Sequence, residues 1–302
     1  LIGMADIEES YMKMLLGPQK KVNHRTPEDN KLCAYHEAGH AVASFYCEHA
    51  NPVKHITIVP AGNTGGVTIN PPVKDQMTAS KNQMLDEIVL CLGGRVAEEL
   101  VMGDISTGAS SDIQKATSTA RNMVTRYGMS EKLGAVLYGS ERTDDEIFLG
   151  RDFSSGRNYS EQTAALIDEE VHTIIENCHT RCRTILTEHM DKLRFVAEFL
   201  LKHESMDEEQ FRAAMTMENP TMEDMENIAA QKKQTSDEEN KVAHENNAKA
   251  EAEAKAEAER RAEEERRADR LTSDPMDDFL NDFFRDSGKD DRKDSHDDSE
   301  NK

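Results

Sequence analysis

Apolar positions along the chain fall mostly at helical spacing, broken by one stretch of short β-branched runs. Met4, Ile7, Tyr11, Met14 and Leu15 recur at that spacing, and Gly17-Pro18 ends the run. Thr26-Pro27-Glu28-Asp29 then offers an N-cap hydroxyl, a proline at the first helical position and a carboxylate three residues after the cap, predicting a helix over about 27–48. His55 to Pro60 and Gly66 to Asn70 flank the turn-forming Gly62-Asn63-Thr64-Gly65, which predicts a small hairpin or two-stranded edge. From Ser80, the positions Leu85, Ile88, Val89, Leu92, Val96 and Leu100 mark one face of a helix that Gly103 is placed to cap. After the small polar loop Ser106 to Ser111, another helix is expected over about 111–127, with Ala116, Ala120, Met123 and Tyr127 inward and a stop at Gly128. Residues 134–160 carry no period. From Ser160 to Met217 the apolar positions return, among them Leu166, Ile167, Val171, Cys178, Leu186, Leu193, Val196, Leu200 and Leu201, enough for two or three packed helices.

Composition limits how much of the 302 residues joins that core. Only 36% are apolar, 32% are charged and there is no Trp. From residue 221 onward 26 acidic side chains face 15 basic ones, so half of the net charge of −22 lies in the last quarter or so of the chain. Residues 218–302 therefore read as an acidic, mostly disordered tail. Within it, residues 246–270, rich in Ala, Glu, Lys and Arg, suit a solvated helix held by i,i+4 ion pairs, and Phe279, Leu280, Phe283 and Phe284 interrupt the acidic end. Such a charge repels phosphate backbones and argues against nucleic acid as a partner. The five Cys form no double C-x-x-C pattern and read as reduced core thiols of a cytosolic compartment. No apolar run approaches the roughly 18 residues of a membrane span.

Chemistry enters with His36-Glu37-Ala38-Gly39-His40, an H-E-x-x-H inside the first well-marked helix. At 100° per residue the imidazoles at i and i+4 differ by about 40° around the axis, so both can reach one Zn²⁺. Glu37 sits about 60° from His40 and can face a zinc-bound water without binding the metal itself. Zinc lowers the pKa of that water towards roughly 7, and a carboxylate beside it can take the proton and hand it to a leaving amine. That is peptide hydrolysis, with Glu37 as general base. The metzincin continuation is absent, since Ala43 and Tyr46 stand where Gly and a third His are needed. A third ligand must come from elsewhere, and Asp112, Glu98 and Glu99 are the candidates. Taking Leu85, Ile88, Leu92 and Val96 as the inward stripe, Glu98 points away from it, Glu99 lies at its edge, and Asp112 falls on the inward side of its own helix.

The segment Cys33-Ala34-Tyr35-His36-Glu37-Ala38-Gly39-His40 resembles the Thr-Ala-Tyr-His-Glu-Ala-Gly-His stretch of FtsH proteases. Gly93-Gly94-Arg95-Val96-Ala97-Glu98-Glu99, Ser106-Thr107-Gly108-Ala109-Ser110-Ser111-Asp112-Ile113 and Phe148-Leu149-Gly150-Arg151 follow in the same order, so the likeness covers about residues 1–215. One departure is Ala61, where the family usually carries Arg.

The resemblance implies a mainly α zinc-peptidase domain with a small β-hairpin or edge, over 18–217, preceded at 1–17 by the last helix of an AAA ATPase lid. It also implies that Asp112 is the third ligand of one zinc ion per chain, beside His36 and His40. Glu99 is then expected to orient a zinc-bound imidazole through a hydrogen bond. By the same resemblance, the parent protein is a homohexameric, ATP-driven protease anchored at the cytoplasmic face of a bacterial membrane and acting on unfolded or membrane proteins. No G-x-x-x-x-G-K-[ST] occurs here, so ATP and Mg²⁺ would act through an ATPase module outside this sequence, and the anchor would likewise lie outside it. The competing readings are a stand-alone zinc peptidase and a non-catalytic platform for hexamer formation and docking.

Overall fold

The computed structural model describes residues 10, 13–14, 25–60, 64–73, 77–139 and 159–272. The expected lid helix over 1–17, all but three of its residues, lies outside them, as do Ala61, the Phe148 to Arg151 segment and the Phe-containing end of the tail.

Helix α1 runs Pro27–Phe45 and starts as its cap residues dictate: Asp29 N–H donates to the Thr26 hydroxyl, and the Asp29 carboxylate accepts from Thr26 N–H. Two strands follow, β1 at His55–Thr57 and β2 at Val67–Ile69, and then α2 at Lys81–Met102. Ser80 caps the start of α2 with Gln83, and Gly103 ends it at φ 70°, a left-handed backbone that glycine adopts without a Cβ clash. A 3₁₀ turn at Thr107–Ala109 leads into α3, Ser110–Thr125. The remaining elements are α4 at Glu161–Glu188, α5 at Met190–His203, β3 at Ser205–Asp207, α6 at Glu208–Thr216 and α7 at Met222–Thr272.

The core is a helical stack. α1 packs on α2 and α5, and α2 also packs on α3 and α4. α1 and α2 touch through glycine: a Cβ built on Gly39 would stand 2.4 Å from the Gly93 carbonyl oxygen, and one on Gly93 would stand 2.6 Å from that of Gly39. Glycine inside a helix costs about 1 kcal/mol relative to Ala. Here that cost is offset by a backbone-to-backbone crossing that no larger residue permits.

The sheet has order β2-β1-β3, with both pairings antiparallel; Ile56 faces Thr68 on one side and Met206 on the other. The hairpin matches expectation. The third strand does not follow from Ser205-Met206-Asp207, which has no β-branched residue; it is brought to β1 by Glu204, whose left-handed backbone (φ 63°) ends α5 and whose carbonyl accepts from Ile58 N–H at 2.9 Å.

One inward assignment needs correction: Tyr127 is 55% exposed because α3 ends at Thr125, two residues before the expected end at 127. Among the apolar positions of the later helices, Leu166 and Leu201 lie at the solvent edge at 41% and 40%. Contacts divide the chain between Gln234 and Thr235. The first part draws on more sequence than the expected boundary at 217, since Met225 is fully buried and Met222 and Ile228 pack against the core. Gln210 secures that turn by donating to the Met225 carbonyl at 3.0 Å. Beyond Ala229, every side chain described in α7 is exposed. None of the five Cys is paired; burial pushes the thiols of Cys33, Cys91 and Cys178 up to about 11 and that of Cys47 up to about 12, which keeps them protonated and unreactive. Among the described residues no helix is long and apolar enough to cross a membrane.

Candidate metal centre

α1 presents His36 and His40 one turn apart on the face that meets α2, with ring centroids 4.6 Å apart and planes nearly perpendicular. Each ring is oriented from behind by α2. His36 Nδ1–H donates to Glu98 Oε1 at 2.8 Å, and His40 Nδ1–H donates to the Leu90 carbonyl at 2.7 Å. Leu90, Gly94 and Glu98 form one row at i, i+4 and i+8 along α2. Gly94 belongs to that row because the His36 ring lies on it: a Cβ there would come within 2.4 Å of the imidazole.

With both Nδ1 atoms committed as donors, a neutral ring carries its lone pair on Nε2. Those two Nε2 atoms are 3.0 Å apart, and Asp112 Oδ2 lies 3.3 Å from one and 3.6 Å from the other. With neutral rings, three acceptors thus converge on one point, which demands positive charge between them, either a ring proton or a cation. Ligand atoms around a tetrahedral zinc with bonds of 2.0–2.2 Å stand roughly 3.3 Å apart, so this triangle can hold that ion with its fourth position open. Among the described residues it is the one group of three His, Cys, Asp or Glu whose ligand atoms lie this close, within 4.8 Å of one another.

The electrostatics point the same way. Burial disfavours a charged His36, but hydrogen bonds to Asp112 and Glu98 outweigh it and push its pKa up to about 10. Burial likewise opposes ionisation of Asp112, yet the hydrogen bonds from His36 and His40 hold its carboxyl well below the usual range. Glu98, fully buried, also stays ionised against its desolvation, held by His36 and by Ser106, whose N–H donates to Oε2 at 2.7 Å and whose hydroxyl donates to Oε1 at 3.1 Å. Glu37 differs: burial raises its carboxyl above the ordinary value, and the nearby imidazoles and the Thr68 hydroxyl only partly oppose this. Thr68 Oγ1 lies 2.8 Å from Glu37 Oε2. These groups line a cleft of about 580 Å³, whose walls include Arg25, Cys33, Gly66, Thr68 and Lys115.

His36, Glu37, His40 and Asp112 are therefore brought together. Asp112 sits in the first turn of α3, and its carboxylate is aimed at the imidazoles. Glu99 is not with them. The hydrogen bond expected from it comes from its neighbour Glu98, while Glu99 faces Arg95 at 3.5 Å, His179 at 3.3 Å and Arg183 at 3.4 Å on the side of α4. The physical reason is that α2 is buried on more than one side, so a single inward stripe misplaces both carboxylates. The sequence carries no signal for Thr68 on β2, whereas the i+4 spacing of Gly94 and Glu98 marks the α2 row to which Leu90 belongs.

The family model for peptidase family M41 matches residues 23–214. The ATP-dependent zinc metalloprotease FtsH of Caldicellulosiruptor bescii is 48% identical over 211 residues, covering 70% of this chain and 34% of that protein. The FtsH of Bacillus subtilis is 44% identical over 211 residues, covering 70% and 33%, and FtsH 2 of Alkaliphilus metalliredigens is 44% identical over 254 residues, covering 81% and 37%. The chain thus spans about a third of the length of the curated relatives it matches. With the family model matching well over half of its residues, the chain belongs to peptidase family M41.

Proposed function

We propose that the chain is the proteolytic part of a longer ATP-dependent zinc metalloprotease, with one Zn²⁺ held by His36, His40 and Asp112 and with Glu37 as general base. The observation that carries this reading is the triangle formed by His36 Nε2, His40 Nε2 and Asp112 Oδ2, with edges of 3.0, 3.3 and 3.6 Å. When bound there, zinc supplies a Lewis acid and acidifies a water molecule towards neutral pH. Thr68 engages Oε2 of Glu37, which leaves Oε1 to take the proton of the attacking water and pass it to the leaving amine. Burial raises the carboxyl of Glu37 above its ordinary value, the direction that favours accepting a proton. Glu98 and the Leu90 carbonyl fix the tautomer and orientation of the two imidazoles.

Substrates are polypeptides in extended form. β2 is an edge strand whose Val67 and Thr68 border the cleft, and an extended chain can add to such an edge by main-chain hydrogen bonds. ATP and Mg²⁺ act in an ATPase part of the parent protein, supported by the relatives' names and by their greater length; its assembly as a homohexamer and its anchoring at the cytoplasmic face of the membrane rest on the family resemblance of the motifs alone. The decisive experiment is Glu37→Gln. It retains about one zinc per chain while cleavage of casein falls by roughly 10²-fold or more, and ATP stimulates neither protein. Near-normal cleavage by that variant would sink the mechanism, and stimulation of the pure chain by ATP would sink the division of labour.

A further inference from the structure

The general base of this site is held from a different element than the imidazoles. Glu37 lies on α1, but its carboxylate is gripped by the start of β2. A Cβ built on Gly66 would meet the Glu37 Cγ and Oε1 at 2.8 Å each, so the strand passes against the carboxylate only because residue 66 has no side chain. Two residues on, the Thr68 hydroxyl reaches Oε2 at 2.8 Å and the main-chain carbonyl of the same Glu37 at 3.1 Å. A hydroxyl carries one proton, and the shorter, charge-assisted contact to the carboxylate takes it. Thr68 is itself fixed by the pairing of β2 with β1 opposite Ile56, which is fully buried.

A glutamate one residue from a metal-ligating His has three rotatable side-chain bonds, and some of its rotamers direct its oxygens at the ion. A base that ligates the metal cannot also take the proton of the attacking water. The site therefore requires something that selects one rotamer.

We infer that Thr68 is a positioning residue for peptide hydrolysis: its hydroxyl locks the Glu37 carboxylate beside the metal position and off it, and ties the base to the strand that borders the substrate cleft. This rests on the functional reading above. It makes the hydroxyl, and not the shape of residue 68, the essential feature. Valine keeps the branched shape and removes the donor, whereas serine keeps the donor and removes a methyl group.

The test measures the unaltered chain, Thr68→Val, Thr68→Ser and Glu37→Gln side by side. It follows zinc content, kcat and KM on a flexible fluorogenic peptide, and the side-chain carboxyl ¹³C resonance of Glu37 in the metal-free protein, assigned by its loss in Glu37→Gln. Thr68→Val is expected to keep its zinc and its KM within about twofold while kcat falls by about 10–100-fold, the range for partners one step removed from a metal. Its Glu37 resonance moves. Thr68→Ser returns kcat to within about threefold and leaves the resonance in place. The inference is overturned if Thr68→Val matches the unaltered chain in kcat, if Thr68→Ser loses as much as Thr68→Val, or if the resonance is indifferent to both. Loss of zinc by Thr68→Val would also overturn it, by showing that the residue supports the fold of the site. A zinc-loaded unaltered chain that cleaves nothing brings down the functional reading and this inference together; every other failure brings down the inference alone.

Discussion

α1 and the distal part of α7 are both rich in alanine, yet the same residue does opposite things in them. Ala34, Ala38, Ala41 and Ala43 in α1 are all 0% exposed, whereas each alanine from Ala248 to Ala262 is exposed. Intrinsic propensity favours a helix in both. What differs is company. α1 has glycine-to-glycine contact with α2 and packs on α5, so its small side chains let backbones approach and leave room for two imidazoles. Distal α7 has ion pairs such as Arg261 to Glu257 at 2.7 Å, which contribute a few tenths of a kcal/mol each. Small residues thus create a site in one helix and merely permit helicity in the other.

Substitutions can break or sharpen that contrast, beginning with the largest effects. His36→Ala, His40→Ala and Asp112→Ala should each lose zinc and essentially all hydrolysis, because two remaining protein ligands hold the ion poorly; metal analysis of the purified variants checks this. Gly93→Ala should follow. Its Cβ meets backbone atoms of Gly39 and His40 at 2.6–2.9 Å, so the crossing must open, and a loss of about 2–4 kcal/mol is expected by denaturant titration. Deleting residues 222–302 removes fully buried Met225 and should lower the melting temperature on the order of 10 °C. Deleting 235–302 should change it by no more than about 1 °C, and a large fall there would erase the contrast between the two helices.

Smaller effects sharpen the site itself. Glu98→Gln should weaken zinc binding by about 10–100-fold, while Glu99→Gln, whose carboxylate faces α4, should leave it within about twofold. Competition with a chelator ranks the two. The pH dependence has a definite sign: His36 has its pKa raised to about 10, so in the metal-free fold it holds its proton at neutral pH and zinc must displace it. Binding should therefore strengthen as pH rises towards 10, by up to about tenfold per unit, and release about one proton at pH 7.5. Calorimetry in buffers of different ionisation heat counts that proton.

Local signals carried much of this architecture. Thr26, Ser80 and Gly103 mark helix ends by capping chemistry, and each stands where the cap is found. His36, Glu37 and His40 are visible as a motif because ligand spacing and helix period coincide. Asp112 is different; its approach to the imidazoles depends on how α3 packs, and only likeness to a family singled it out. Glu98 escapes the single-stripe reading because a helix with partners on two sides has no single inward stripe. Met225 hides in an acidic stretch, where composition averages away one buried residue, and β3 exists only because β1 recruits it.

The crossing of α1 and α2 has a mechanical consequence. Gly93 against Gly39, Gly94 against the His36 ring, the Leu90 carbonyl on His40 and Glu98 on His36 are four contacts along one rail. A slide of one residue, about 1.5 Å, would break all four at once. The pair therefore behaves as a keyed joint, in which the geometry at the imidazoles and the register of the helices are a single variable. Such a joint does not drift out of adjustment by degrees: heated or strained, it should lose its metal geometry in the same cooperative step in which the two helices part.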